Sequence, residues 1–297
     1  MRTLKSAVAA LAVAALALPA VASAAYPVKI TTPAGSVTLT AKPVRVISLS
    51  PTSTEDLFAV GAGPQVRAVD DQSSYPASAP RTKLSGFTPN VEAIAKYRPD
   101  LVIISNDSGG KLAKRLRALK IPVMLEPAAV KLADVYAEIS QLGLATGHTA
   151  KAKAVVTRMK SQIAQIVASV PKRATPLTYY HELSPDLYSA TSTTFIGQLY
   201  GLLGLKNIAD AADSGGTGYP QLNAEYLIAA NPDFVFLADT KCCQQTPATV
   251  AARPGWSAMN AVENGQVVNL DDDIASRWGP RIVNYLRAVA AAVAKAK

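Results

Sequence analysis

Residues 90–104 read NVEAIAKYRPDLVII and residues 223–237 read NAEYLIAANPDFVFL. A shift of 133 positions superimposes Asn90 on Asn223, Glu92 on Glu225, Pro99 on Pro232, Asp100 on Asp233 and Val102 on Val235. A fainter echo sets TSTEDLFAVGAG (52–63) beside TSTTFIGQLYGLLG (191–204). A chain that repeats a helix-to-strand unit at such a distance is constrained to two similar lobes, each with its own layers. Within each unit the asparagine suits a helix N-cap, and the glutamate lies in the first turn, where the helix dipole favours negative charge. Pro-Asp then ends the helix ahead of a buried apolar run.

Short apolar runs alternate with longer amphipathic stretches through both halves, the pattern of α/β folds with parallel sheets. Strands are predicted at 44–49, 66–69, 101–105 and 122–126, with helices at 53–62, 90–97 and 111–120. The second half repeats the plan, with strands at 176–182, 206–210, 233–238 and 266–270 and helices at 193–203, 223–230 and 279–296. Between the halves, residues 149–170 contain neither Gly nor Pro and carry apolar residues at helical spacing. Such a helix spans roughly 33 Å, the width of a small domain. The division is a leader over residues 1–24, a first α/β lobe over 25–147, a linker helix over 148–171 and a second α/β lobe over 172–297.

The leader has Arg2 and Lys5 ahead of a short Ala/Leu/Val core and an Ala22-Ser23-Ala24 cleavage site, which predicts export. No cysteine lies near that site, so a chain without a lipid anchor is expected, periplasmic or extracellular. Losing Arg2 and Lys5 lowers the formal charge from +9 to +7. That charge follows helices such as 111–120 and 151–160, and no nucleic-acid motif accompanies it.

The segments RVISLSPTSTEDLFAVGAG (45–63), VEAIAKYRPDLVIIS (91–105), the long helix, NAEYLIAANPDFVFLA (223–238) and RPGWSAMNAVENGQVVNLDDDIASRWGP (253–280) together resemble the iron-siderophore/cobalamin type of periplasmic substrate-binding protein, the helical-backbone receptors of ABC importers. The resemblance spans nearly the whole mature chain. It implies two Rossmann-like lobes joined by one long helix, little hinge motion, a metal chelate (ferric siderophore or cobalamin) held between the lobes, and no catalysis. It further implies a monomer that docks on a permease dimer with its ATPase subunits, each lobe offering one glutamate, here Glu92 and Glu225. Capping explains the same two residues without a partner, and the two roles are compatible.

Ligand-contacting residues are expected in loops that follow strands. Ser50, Pro51, Thr52, Tyr75 and Phe87 are the candidates in the first half; Tyr180, His181, Glu182, Tyr188, Cys242, Arg277 and Trp278 are those in the second. The aromatic rings offer flat apolar surface, and Arg277 can pair with a ligand carboxylate or phosphate. With His148 and His181 as the only histidines, no resident metal or cofactor is expected; a metal would arrive already chelated. His181 is read as a hydrogen-bonding residue with a fixed tautomer. Cys242 and Cys243, the only cysteines, leave three arrangements open: a vicinal disulfide, two thiols, or pairing with another chain; the working expectation is the vicinal disulfide, lining the site. The alternatives are a haem receptor, or an exported chelatase or hydrolase built on Ser50 or Ser189 with His181. No G-x-S-x-G or H-E-x-x-H motif supports an enzyme.

Overall fold

The computed structural model describes residues 26–296. The predicted leader lies outside the described residues. Among them, no helix is long and apolar enough to cross a membrane.

An antiparallel hairpin of β1 (Val28–Thr32) and β2 (Gly35–Leu39) precedes the first lobe. The lobe itself runs β3 (Val46–Leu49), α1 (Pro51–Ala59), β4 (Val66–Val69), α2 (Val91–Ala95), β5 (Leu101–Ile104), α3 (Lys111–Ala118) and β6 (Val123–Leu125). A helical hairpin follows, α4 (Leu132–Ala145) and α5 (Thr149–Ser169). The second lobe contains β7 (Thr178–Glu182), α6 (Phe195–Leu202), β8 (Lys206–Asn207), α7 (Ala224–Ala230), β9 (Phe234–Leu237), α8 (Pro247–Ala251), α9 (Asn260–Glu263), β10 (Val267–Asn269), α10 (Asp272–Ala275) and α11 (Ile282–Lys295). Both sheets are four-stranded and parallel with matching orders, β4-β3-β5-β6 and β8-β7-β9-β10.

The sequence repeat is written into the pairing register. Val46 pairs with Leu101 and Leu49 with Ile104 in the first sheet; 133 residues on, Tyr179 pairs with Phe234 and Glu182 with Leu237. The repeated aspartates hold that register. Asp100 Oδ1 accepts from the Arg45 amide at 2.8 Å, and both of its oxygens accept from Val44 N at 3.1 Å, just ahead of β3. Asp233 Oδ2 accepts from the amide and hydroxyl of Thr178 at 2.7 and 2.8 Å, at the start of β7. The asparagines cap α2 and α7 alike: Asn90 Oδ1 accepts from Ala93 N and Asn223 Oδ1 from Tyr226 N, both at 2.8 Å. Arg98 and Asn231, again 133 apart, both take positive φ where the chain leaves the helix.

Every residue of β3, β5 and β9 is buried, as strands covered on both faces must be. Side chains alternate between faces: Leu101 and Ile103 point into the largest apolar cluster, Val102 and Ile104 into the outer cluster of the first lobe. Phe234 and Phe236 join the same large cluster, while Val235 and Leu237 pack with Tyr180 and Trp256 in the outer cluster of the second lobe. The large cluster is therefore shared. Leu57 of α1, Leu142 of α4, Val155 and Met159 of α5, and Leu286 of α11 all belong to it. Separating the lobes would expose this common core, which opposes a wide hinge movement.

Two features were not legible beforehand. The hairpin β1–β2 packs beside α4, and α4 itself extends the expected single linker into a helix pair. Gly147, at φ +72°, turns the chain between α4 and α5, and at Gly143 a Cβ would lie 2.3 Å from that of Ala152. Glycine there lets the two helices approach closely.

Candidate functional site

In parallel sheets the carboxyl ends of the strands face the ligand side. The first-lobe loop after β3 does not present its side chains there. Ser50 Oγ accepts from Ser53 N at 3.3 Å as the N-cap of α1, Pro51 starts the helix, and Ser50 and Thr52 are each 2 % exposed. The expectation that Ser50 and Thr52 contact a ligand is corrected, because starting α1 turns them inward; Pro51 stays partly exposed. The later loops do present surface. Tyr75 is half-exposed, with the Arg281 guanidinium 4.3 Å above its ring, and Phe87 stands out at 85 % exposure. Tyr75, Phe58 and Glu55 border a cavity of about 320 Å³ whose opposite wall is Pro280, Arg281 and Asn284 of the second lobe. Phe87 borders another of about 280 Å³ with Asn106, Lys111 and Arg115.

In the second lobe, Tyr180, His181 and Glu182 belong to strand β7 and are fully buried, which corrects their assignment to a ligand surface. The Tyr180 ring meets Trp256 edge-on at 6.4 Å. His181 Nδ1 lies 2.9 Å from the Tyr200 hydroxyl, and burial pushes the imidazole down to about 3, so it is neutral at neutral pH. Glu182 receives both ends of the Arg253 guanidinium at 2.7 and 2.6 Å, and Arg253 stacks 4.5 Å above Trp256. Arg253 carried no sequence signal; a bidentate pair formed across 71 residues has no local pattern.

Beyond β7 the chain pairs with the segment ahead of α7. Tyr188 bridges Gln221, and Leu222 N donates to Leu187 O at 3.0 Å. Gly218, Pro220 and Leu222 are buried while Tyr219 and Gln221 are exposed, so the two-residue alternation sets Tyr219 on the same exposed face as Tyr188. Tyr188 is 42 % and Tyr219 49 % exposed. Tyr219 was not anticipated, because its alternation spans too few residues to read as a strand.

Cys242 and Cys243 are free thiols, which corrects the expected vicinal disulfide. Cys242 is exposed, and its thiol is pushed up to about 12 by desolvation and by adjacent Cys243. The loop is tied down elsewhere: Cys242 N donates to Asp272 at 2.9 Å, and Lys241 pairs with Asp271 and Asp273 at 2.8 and 3.0 Å.

The seam between the lobes is the largest revision. Arg277 donates to Glu55 Oε1 at 2.9 Å, to Gln72 O at 3.0 Å and to Asp273 at 2.9 Å; Arg281 donates to Glu55 Oε2 at 2.7 Å. Glu55 is 2 % exposed and the Arg277 side chain 10 %. Arg277 is thus a lobe-to-lobe clasp, not a free partner for a ligand anion, because a nearly buried guanidinium must be paired where it stands. Trp278 Nε1 donates to Glu138 Oε2 at 2.9 Å, so its polar edge also faces the protein; Ser53 holds the other Glu138 oxygen at 2.8 Å. Three carboxyls gather on the first-lobe side. Burial raises Asp56 well above the usual range, with Glu138, Glu55 and Glu126 adding to the rise. Burial, then Glu138, pushes Glu126 up to about 9; burial pushes Glu138 up to about 7 against its two hydrogen bonds. The adjacent acids Glu55 and Asp56 just ahead of the apolar Leu57-Phe58-Ala59 end of α1 were the available hint.

Glu92 and Glu225 are exposed in the first turns of α2 and α7. Glu92 pairs with Arg115 at 2.9 Å, whereas Glu225 has no ion pair among the described residues. Two larger cavities, about 710 and 630 Å³, lie elsewhere. Asp233 and Gln266 border one and Leu205 the other, with Leu177 common to both, so they sit at the amino ends of the second-lobe strands. The exposed rings of Tyr75, Phe87, Tyr188 and Tyr219 instead follow strand carboxyl ends, where a flat apolar guest can rest.

A two-lobed architecture of this kind has relatives. A family model described as periplasmic binding protein matches residues 46–274. An uncharacterized ABC transporter substrate-binding lipoprotein of Bacillus subtilis is 30% identical over 265 residues, covering 86% of this chain and 82% of its own. A cobalamin-binding protein of Halobacterium salinarum is 32% identical over 264 residues, covering 86% and 70%. Among solved structures, a possible iron-binding periplasmic solute-binding protein of Staphylococcus epidermidis is 28% identical with a TM-score of 0.73, covering 86% of this chain and 100% of that one. With the two-lobed fold, the duplicated register and a family match over most of its length, the chain belongs to the periplasmic binding protein family.

Proposed function

We propose that this protein is the solute receptor of an ABC importer, capturing a metal chelate of the cobalamin class between its lobes and delivering it to the permease. The observation that carries the reading is the pair of register-matched lobes on a shared core, with exposed aromatic rings at their strand carboxyl ends. A relative named for cobalamin binding at 32% identity supports the ligand class. The metal arrives within the chelate: His181 is buried against Tyr200, which leaves His148 as the other histidine of the chain. Turnover has no support at the Ser50–His181 candidate. Ser50 Oγ caps α1, and the hydrogen bond of His181 goes to Tyr200. Glu92 and Glu225 are the docking points, each free of burial and each on a short helix of the same design.

Haem is the second reading, favoured by the exposed phenols of Tyr75, Tyr188 and Tyr219, since a tyrosine oxygen can ligate haem iron. Titration of the mature protein with cobalamin, haemin and a ferric siderophore panel, followed by absorbance and thermal shift, separates the readings. A ligand at about 100 times its Kd adds about 2.7 kcal/mol of stability. Saturable one-to-one cobalamin binding with the corrinoid recovered unchanged is expected, and Tyr188→Ala with Tyr219→Ala weakens it. No shift with any chelate would remove the reading.

A further inference from the structure

The two lobes part company in one electrostatic respect. Between β5 and β6 the first lobe carries Lys111, Lys114, Arg115, Arg117 and Lys120, with Asp107 as the one acid. Leu112, Ala113 and Leu116 anchor α3 to the core, which turns all five cations outward; Leu119 beside them is 54 % exposed. Asp107 is already engaged, accepting from Leu112 N and Ala113 N at 3.0 and 2.9 Å. Of the five cations, Arg115 alone has an ion pair among the described residues, and its partner is Glu92. The corresponding stretch of the second lobe, between β9 and β10, holds two cations, and both are engaged within the lobe: Lys241 with Asp271 and Asp273, Arg253 with Glu182. A permease with two matching faces accounts for paired glutamates but not for a basic helix on one lobe only.

We infer that the exposed face of α3 is a docking surface for an anionic phospholipid bilayer. Lys111, Lys114 and Arg117 on α3, with Lys120 just past its end, supply unneutralised charge, and Leu119 adds an apolar contact at the headgroup boundary. The contact of Arg115 with Glu92 sets this face beside one docking glutamate, so a lobe tip seated on a membrane protein brings α3 to the surrounding headgroups. The inference rests on the receptor reading only in placing the protein at a membrane. Each cation near an anionic surface strengthens attachment by about fivefold, and the attraction decays within a Debye length, about 10 Å at 0.1 M salt.

The test is sedimentation of the mature protein with phosphatidylglycerol–phosphatidylcholine vesicles at low salt, without ligand or permease. Binding is expected to the mixed vesicles, to be absent with pure phosphatidylcholine, and to fall about 25-fold in Lys114→Gln with Arg117→Gln. The companion pair Lys111→Gln with Lys120→Gln probes the same face and is expected to lose as much. A control of equal charge change on the exposed side of α5, Lys153→Gln with Arg158→Gln, is expected to bind like the parent. Failure of the parent to bind, or equal losses in the α3 and α5 variants, would overturn the inference; the second result would assign attachment to net charge. Capture by pure phosphatidylcholine would overturn it as well. Because neither chelate nor permease takes part, a failed uptake assay bears on the receptor reading alone.

Discussion

The first and second lobes are built on one plan at their amino-terminal edges and on two plans at their carboxyl edges. Asp100 and Asp233 pin the start of β3 and β7 in the same way. At the other edge Asn90 and Asn223 still cap α2 and α7 with the same 2.8 Å bond, but the seam does not repeat. The first lobe gathers Glu55, Asp56, Glu126 and Glu138, while the second answers with Arg277, Arg281 and Trp278. The edge that only has to hold a sheet together kept its duplicated chemistry. The edge that faces the other lobe became complementary, acid against base.

The comparison can be broken most forcefully at Glu55. Replacing it with Gln leaves Arg281 nearly buried without its anion and Arg277 with Asp273 alone, and a loss of about 3–5 kcal/mol is expected in denaturant unfolding. A loss below about 1 kcal/mol would mean that the clasp is solvated and the lobes are held by the apolar core alone. Next come the duplicated clamps. Asp233→Ala removes two bonds to Thr178 and is expected to cost about 2 kcal/mol; Asp100→Ala, at a more exposed site, is expected to cost about 1 kcal/mol. Equal and negligible losses would show that the repeated Asp has no structural role.

The carboxyl edge also predicts an unusual pH dependence. Glu126 and Glu138 have folded-state pKa values of about 9 and about 7, above their usual range. Such groups add stability fully below about pH 4.5, and the contribution is lost as the pH rises through the folded values. His181, pushed down to about 3, works the other way: its contribution is complete above about pH 6.5 and is lost as the pH falls. Stability should therefore peak near pH 5 and decline toward pH 9, at up to about 1.4 kcal/mol per pH unit for each carboxyl still protonated in the fold. Thermal melts across that range check it. Glu126→Gln should flatten the alkaline limb, and a curve that rises from pH 5 to 9 would contradict the buried-acid account.

The smallest effect on stability belongs to the paired helix tips. Glu92→Lys and Glu225→Lys should each change unfolding free energy by less than about 1 kcal/mol, since both side chains are exposed and the Glu92–Arg115 pair is a surface one. Ligand affinity should be unchanged while transporter-dependent uptake falls. Unaltered uptake in the double variant would end the docking assignment.

Much of this was readable from the chain because it is periodic or local. VRAV at 66–69 is the whole of β4, and the asparagine caps need only the four residues around them. Burial at strand ends was the weak point. The strand expected over 176–182 ends with β7 at Glu182, yet Tyr180, His181 and Glu182 were also assigned to the ligand surface; which end of a strand stays covered depends on partners such as Tyr200 and Arg253 that lie far along the chain. The Arg277–Glu55 pair joins residues 222 apart, and no window along the chain contains both.

The amino-acid sequence by itself determined two α/β lobes, their common register and the caps and clamps that maintain it, because hydrophobic alternation and hydrogen-bonding side chains act over a few residues wherever they occur. The tertiary structure alone decided which polar groups meet at the seam and which aromatic rings remain open to a guest. That outcome depends on how two finished lobes are set against the α4–α5 hairpin, where charge must find its partner once water has been excluded.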